Sequence, residues 1–162
     1  MIKILLADDH ALVRQGFKMI LGAQPDMQIV GEAGNGREAV ELAEKLQPDL
    51  IVMDVTMPEL NGIEATRRLA ASSPRTRVLA LSMHKDAVYV REILRAGARG
   101  YLLKDSVDAD LLAAVRAVAK GEICPTHSRR QQYLRSAVVR SLTGAMVCRS
   151  IPRVEMYRTY PP

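Results

Sequence analysis

Several short apolar segments of this chain end on side chains that could do chemistry. Asp8 and Asp9 follow the first segment, Asp54 ends a central one, and Ser82 and Lys104 end two later ones. When such segments are parallel strands, their carboxyl ends share one edge of the sheet, where ligands and chemistry collect. We therefore expect three carboxylates, a hydroxyl group and an ammonium group to converge at one edge.

Three carboxylates that lie this close repel one another, so the pKa of at least one should be raised unless a cation neutralises the set. A few hard oxygen ligands with room for water suit Mg²⁺. The ion, the Lys104 ammonium and the Ser82 hydroxyl would together surround Asp54. Groups of these kinds stabilise a phosphoryl group in transfer. The pattern predicts that Asp54 is a nucleophile that forms an acyl phosphate.

Three other interpretations apply to these residues and to the glycines near them. Taken alone, Asp54 reads equally well as a cap for the segment that follows it. An aspartate-dependent phosphohydrolase would need a second carboxylate two residues later, and that position holds Thr56. The glycines at 31, 34 and 36 have the spacing G-x-x-G-x-G after the second strand, which predicts a turn rather than a nucleotide-binding loop.

The elements that must position these residues alternate along the chain. Apolar runs bounded by turn residues predict strands at 2–7, 27–33, 50–53, 78–81 and 100–103. Apolar residues at helical spacing predict helices at 10–21, 37–46, 63–71 and 87–96, and a last one ending at 120. Gly97 should follow its helix in a left-handed conformation. Five such repeats favour a parallel, doubly wound sheet with helices on both faces.

Charge divides the chain in two. Residues 1–120 carry sixteen basic and sixteen acidic side chains, whereas seven arginines and two glutamates follow, which accounts for the net charge of +5. No apolar run approaches the roughly 20 residues that cross a bilayer. Cys124 and Cys148 have neither metal nor redox spacing. The sequence predicts a cytoplasmic protein without membrane contact.

The residues at the strand ends resemble the receiver domain of two-component response regulators. The resemblance is carried by Asp8-Asp9, by Asp54 with Met57-Pro58 and Gly62 behind it, by Ser82, and by Gly100-Tyr101-Leu102-Leu103-Lys104-Asp105. Ala7-Asp8-Asp9-His10 and the run 97–101 are most similar to the NarL/FixJ (LuxR-type) subfamily. The resemblance covers residues 1–121 and implies a flavodoxin-like (βα)5 fold with strand order 2-1-3-4-5.

The resemblance also implies a phosphorylation site with a metal ion. Asp54 would accept a phosphoryl group from the histidine of a sensor histidine kinase. Asp9 and Asp54 would bind Mg²⁺ directly, Asp8 would act through water, and Thr56 would contribute its backbone carbonyl.

Three further residues receive roles from the same resemblance. Lys104 would pair with the phosphate, Ser82 would move towards it, and Tyr101 would turn inward as part of a switch. On general grounds Tyr101 is more often a core aromatic, and His84 is more often a solvated loop residue than part of the pocket. His10 is left out, because histidines at helix starts usually face solvent.

The segment 122–162 departs from the subfamily pattern. Members usually continue into a helix-turn-helix domain of roughly 60 residues. In this 162-residue chain, about 40 residues follow the receiver-like part, and they lack the paired apolar helices of such a domain. We expect a basic tail with at most one helix, at 131–147, and otherwise disorder, left by truncation or a shifted reading frame. DNA binding is expected of the subfamily but not of this tail.

Two functions stay open at this point. The first is a response regulator that is phosphorylated on Asp54, changes conformation, forms a homodimer and regulates transcription. The second is a stand-alone receiver that acts by protein–protein contact or as a phosphate sink. Neither is an enzyme, beyond assisting its own phosphorylation and dephosphorylation.

Overall fold

A computed structural model describes residues 1–84 and 86–125 of the chain. Its strands are β1 (Ile2–Ala7), β2 (Met27–Ala33), β3 (Leu50–Asp54), β4 (Arg77–Ser82), β5 (Gly100–Leu103) and β6 (Cys124–Pro125). Its helices are α1 (Ala11–Gly22), α2 (Gly36–Leu46), α3 (Gly62–Ser72), α4 (Ala87–Arg95) and α5 (Val107–Ala119). A short 3₁₀ turn, Lys104–Ser106, joins β5 to α5.

The strands form one parallel sheet in the order β2-β1-β3-β4-β5-β6. The predicted order 2-1-3-4-5 and the flavodoxin-like, doubly wound architecture are therefore confirmed. The sequence does not predict β6, because two residues are too few to show a periodicity. These two residues pair with Gly100 and Tyr101 of β5, so the sheet continues past residue 121.

The central strand β3 is buried on both faces, as its run of apolar residues predicts. All five of its residues are buried, and its side chains alternate between two cores. Ile51 and Met53 belong to the core that includes residues of α2, α3 and α4, whereas Leu50 and Val52 belong to the core that includes residues of α1 and α5. Asp54 is the first polar side chain of the strand and lies at its carboxyl end, and Val55 and Met57 beyond it still belong to the first of these cores.

The helices begin and end within one residue of the predicted positions. Asn35 and Asn61 cap α2 and α3, because each side chain accepts a hydrogen bond of 2.9 Å from an N–H of the first turn. Gly97 follows α4 with a φ of +116°, the left-handed conformation expected of it. Local sequence signals therefore account for these ends.

Apart from residues 122–125, where β6 forms in place of the expected disorder, the predictions for the tail fall outside the described residues. They concern the helix at 131–147 and the expected disorder, and residues 126–162 are not described. Among the helices that the structure describes, none is long and apolar enough to span a membrane.

Candidate functional site

Three of the predicted site residues meet at the carboxyl edge of the sheet. The Nζ atom of Lys104 donates hydrogen bonds to Oδ2 of Asp8, at 2.6 Å, and to Oδ2 of Asp54, at 2.7 Å. These acids end the neighbouring strands β1 and β3, whereas Lys104 follows β5, so its long side chain reaches past the end of β4. The parallel topology brings together residues that are far apart in sequence.

The two acids held by Lys104 are shielded from solvent. Asp8 is 2% exposed and Asp54 is 4% exposed. Burial raises the pKa of Asp54, and the hydrogen bond and charge of Lys104 oppose this shift without cancelling it. The direction agrees with the expected raised carboxylate, but the cause is chiefly loss of water, and the Asp8 charge contributes least.

Lys104 keeps its charge in this site. Burial lowers the pKa of Lys104, but the hydrogen bonds and charges of Asp54 and Asp8 together outweigh it, so the pKa is raised. An ammonium group with a raised pKa is fully protonated at neutral pH. The site therefore holds a fixed cation beside a buried carboxylate.

Asp9 and His10 extend this site towards solvent. Asp8, Asp9, His10 and Asp54 each offer one ligand atom, and these atoms lie within 4.8 Å of one another. The Asp9 side chain is 30% exposed, and its Oδ1 lies 2.9 Å from Nδ1 of His10, whose side chain is 67% exposed. Three hard carboxylates, with a solvent-facing side that leaves room for water, fit Mg²⁺. His10, which is not among the predicted site residues, lies beside the acids and remains open to solvent.

The loop after Asp54 is fixed by the backbone of its neighbours. The Thr56 N–H donates to Oδ1 of Asp54, at 3.2 Å, and the Gly62 N–H donates to the carbonyl of Val55, at 2.9 Å. A Cβ atom at Gly62 would lie 2.1 Å from the backbone oxygen of Asp54, so this position requires glycine. The predicted role of the Thr56 carbonyl as a metal ligand stays a prediction.

A second glycine supports the same loop from the side. The Gly36 N–H donates to the carbonyl of Leu60 at 3.0 Å, and a Cβ atom at Gly36 would lie 2.1 Å from that oxygen. Residues 34 and 35 form a bend that leads into α2 at Gly36, in agreement with the predicted turn. The turn thus also packs against the loop that follows Asp54, a contact that the spacing of its glycines does not reveal.

Ser82 and Tyr101 meet at the loop between β4 and α4. The Ser82 Oγ accepts a hydrogen bond from the His84 N–H at 3.0 Å, and the Tyr101 hydroxyl donates to the His84 carbonyl at 2.5 Å. Tyr101 is 1% exposed, so its ring already points inward. Burial raises the pKa of Tyr101. His84 is exposed, as expected, and its ring stacks on that of Tyr89 with centroids 4.6 Å apart.

Comparison with known proteins identifies the family. The Response regulator receiver domain matches residues 4–116. The transcriptional regulatory protein DegU of Brevibacillus brevis is 48% identical over 139 residues, which cover 83% of this chain and 58% of DegU. The chain thus spans a little over half the length of the curated relatives it matches.

Two solved structures agree with this assignment. The response regulator domain of Thermotoga maritima CheB has a TM-score of 0.70 and 38% identity, covering 74% of this chain and 97% of that one. A two-component response regulator of the LuxR family from Aurantimonas sp. SI85-9A1 has a TM-score of 0.77 and 31% identity, covering 88% and 99%. The chain belongs to the response regulator receiver family and contains the receiver domain of a LuxR-type two-component response regulator.

Proposed function

We propose that Asp54 is the residue of this receiver that accepts a phosphoryl group. The observation that carries the proposal is the position of Asp54, a buried carboxylate that Lys104 bridges to Asp8. An oxygen of Asp54 attacks phosphorus, and the new O–P bond forms as the bond between phosphorus and the donor breaks. The electron pair of the broken bond stays with the donor.

Lys104 and Thr56 prepare Asp54 for this reaction. The Lys104 ammonium contacts one carboxylate oxygen and favours the ionised, nucleophilic form against the effect of burial. The Thr56 N–H contacts the other oxygen, which fixes the plane of the carboxylate. The same ammonium lies where it pairs with the phosphoryl oxygens once they are bound.

Mg²⁺ is the cofactor that the acidic cluster fits. Asp9 and Asp54 would bind it directly, Asp8 through water, and Thr56 through its carbonyl. When bound, the ion neutralises charge on the phosphoryl oxygens. The support for this assignment is the set of ligand atoms within 4.8 Å and the oxygen chemistry of the donors.

The proposed signal starts at a sensor histidine kinase and ends at transcription. The kinase supplies the phosphoryl group from a phosphohistidine, and the phosphorylated form changes conformation at Ser82 and Tyr101 and forms a homodimer. Transcriptional regulation is the output we favour over a phosphate sink, because DegU is named a transcriptional regulatory protein. The hydrogen bonds of Ser82 and Tyr101 to one loop residue support their role as a pair.

Phosphorylation by a small-molecule donor tests the proposal. The full chain is incubated with acetyl phosphate, with Mg²⁺ or with EDTA, and its intact mass is measured. We expect one phosphoryl group with Mg²⁺ and none with EDTA.

Two substitutions, one at Asp54 at the end of β3 and one at Asp49 just before it begins, locate the modified residue. Asp54→Asn should remain unmodified, whereas Asp49→Asn, at the opposite end of β3, should be modified like the unchanged protein. Asp49 is a matched control because it lies outside the cluster and accepts a hydrogen bond from the Lys3 N–H, which an asparagine can also accept. Modification of Asp54→Asn would refute the proposal.

A further inference from the structure

Arg14 is a charged residue close to the acidic cluster that the proposed function does not use. It lies on α1, and its Nη1 donates a hydrogen bond of 2.6 Å to the backbone carbonyl of Asp8. Its side chain is 20% exposed. The bond therefore joins a largely buried guanidinium group to the backbone of the acidic pair.

Arg14 is itself held by a charge on the neighbouring strand. Its buried Nε atom has no hydrogen-bond partner and lies 3.6 Å from Oε2 of Glu32, the penultimate residue of β2. The other oxygen of Glu32 is 2.5 Å from Nζ of Lys18. The hydrogen bond from Lys18 lowers the pKa of Glu32, and the charges of Lys18 and Arg14 add to this effect. Glu32 is therefore ionised at neutral pH and attracts the guanidinium.

The carbonyl that Arg14 contacts determines where Asp9 lies. A peptide unit is planar, so fixing the carbonyl of Asp8 also fixes the Cα atom of Asp9, from which its carboxylate projects. The Asp8 N–H donates to the carbonyl of Ala33, at 3.1 Å, and an Asp8 carboxylate oxygen accepts from the His10 N–H, at 2.8 Å. Arg14 completes this set by holding the remaining backbone group of Asp8.

The turn that Arg14 holds has little other support from side chains of its helix. His10 occupies the N-cap position of α1, and its side chain makes no capping hydrogen bond. In α2 and α3, by contrast, an asparagine fills that role. The side chain of Arg14, the fourth residue of α1, is thus the one that fixes the entry of the chain into the helix.

We propose that Arg14 is a positioning residue of the Mg²⁺ site, which holds the Asp8–Asp9 peptide in the geometry that metal binding needs. This inference rests on the proposed function, because it takes the acidic cluster to be the metal site. Arg14 acts through the backbone of Asp8 and does not touch the ion.

Charge and position give opposite expectations for Arg14. A cation close to three carboxylates opposes the binding of a dication, so loss of its charge alone would tighten Mg²⁺ binding. Loss of a group that orients the ligands should weaken binding, and partners of metal ligands typically affect affinity by about tenfold. The sign of the change therefore separates the two roles.

Titration of the full-length chain with Mg²⁺, followed by the amide resonances of the ¹⁵N-labelled protein, tests the inference. We expect Arg14→Gln to weaken binding about tenfold. Arg14→Lys should also weaken it, because an ammonium group keeps the charge but not the fork that reaches Asp8 and Glu32 together. Lys18→Gln is the matched control, since it removes the other cation on Glu32 and should leave Mg²⁺ binding unchanged.

Each outcome decides the inference. Unchanged or tighter binding by Arg14→Gln overturns it, as does an Arg14→Lys variant that binds like the unchanged protein. The variant Asp9→Asn separates this failure from that of the proposed function. If the unchanged protein binds Mg²⁺ and Asp9→Asn does not, the metal site stands whatever Arg14 does. If the unchanged protein binds no Mg²⁺, both proposals fail.

Discussion

Two halves of the sheet edge use different kinds of interaction. In the acidic half, formed by Asp8, Asp9, Asp54 and Lys104, charge-assisted hydrogen bonds from Lys104 join the side chains of Asp8 and Asp54. The switch half, formed by Ser82, His84 and Tyr101, is joined by neutral hydrogen bonds to the backbone of one loop residue. Charge-assisted bonds are roughly twice as strong as neutral ones. The acidic half is therefore held by the stronger hydrogen bonds of the two.

The two halves differ in the surface beside them rather than in the burial of their side chains, since Ser82 and Tyr101 are at most 1% exposed. Asp8 and Asp54 are almost fully buried at the ends of the paired strands β1 and β3. The loop of the switch half adjoins exposed apolar side chains, with Met83 62%, Val88 54% and Tyr89 39% exposed. A site of this design keeps the reacting groups in place and leaves the neighbouring surface free to move or to bind.

Lys104→Met should have the largest effect, because it leaves two buried carboxylates without the cation that joins them. Breaking a buried pair in this way costs about 4 kcal/mol in the free energy of unfolding. Urea unfolding without divalent metal measures the loss, and Mg²⁺ should restore part of it. Lys45→Met, on the exposed surface of α2, is the control and should change little. A loss below about 1 kcal/mol would show that the acidic half is not held by this cation.

Gly62→Ala should disturb the acidic half from its backbone. The added methyl group would lie 2.1 Å from the oxygen of Asp54, and relief of such a clash costs about 3 kcal/mol. Gly16→Ala in α1 is the matched control, because its methyl group would meet no atom within 4 Å. That substitution should stabilise the protein by up to about 1 kcal/mol through helix propensity. Thermal unfolding of the two variants, measured in parallel, tests the prediction. Equal stability of the two variants would contradict it.

The pH dependence of stability should distinguish Asp54 from acids that are paired at the surface. The pKa of Asp54 in the folded protein is raised above 3.8, so ionisation of Asp54 destabilises the fold. The free energy of unfolding of the unchanged protein minus that of Asp54→Asn should therefore fall as pH rises from 3.8 through the folded pKa. The slope is at most about 1.4 kcal/mol per pH unit. The charged and titratable groups that face Asp54 are Asp8, Asp9, His10 and Lys104. Lys104 stays protonated throughout this range because its pKa is raised from 10.5.

Asp26 provides the opposite sign for the same measurement. Its pKa is lowered below 3.8, chiefly by the hydrogen bond from Arg116. Its contribution to stability is present above 3.8 and disappears as pH falls through the lowered pKa. The difference between the unchanged protein and Asp26→Asn should therefore rise with pH in urea unfolding. Slopes of the same sign in the two variants would contradict the assigned directions.

Tyr101→Phe should have the smallest effect and remain confined to the switch half. It removes the hydrogen bond to the His84 carbonyl, which is worth about 1 kcal/mol. Mg²⁺ affinity should stay unchanged, because the acidic half makes none of its contacts through Tyr101. Tyr89→Phe keeps the ring that stacks on His84 and serves as the control. A change in Mg²⁺ affinity in Tyr101→Phe would show that the two halves are coupled in the unphosphorylated protein.

The sequence predicts those parts of the site that follow from topology. Asp8, Asp54, Ser82 and Lys104 could be placed at one edge because apolar strands alternate with helices, and parallel strands present their carboxyl ends together. The ends of the helices follow from local signals such as Asn35 and Asn61. The raised pKa of Asp54 also has the expected direction.

The parts that the sequence does not predict depend on contacts made to backbone atoms. The hydrogen bond from Arg14 to the Asp8 carbonyl and the close contact of Gly36 with Leu60 use backbone groups that every residue carries. Such groups leave no pattern in residue types. His10 is left out of the predicted site because histidines at helix starts usually face solvent, and its side chain is 67% exposed, although its Nδ1 lies 2.9 Å from Oδ1 of Asp9.

The short strand β6 has a consequence for solubility. Without it, β5 would be the last strand of the sheet, and an exposed strand edge offers unpaired N–H and C=O groups to other chains. β6 covers this edge at Gly100 and Tyr101. A fragment that stops at residue 121 would expose the edge of β5 and should aggregate through strand-to-strand pairing. A fragment that keeps residues 124 and 125 retains the cover over β5, the strand that carries Tyr101.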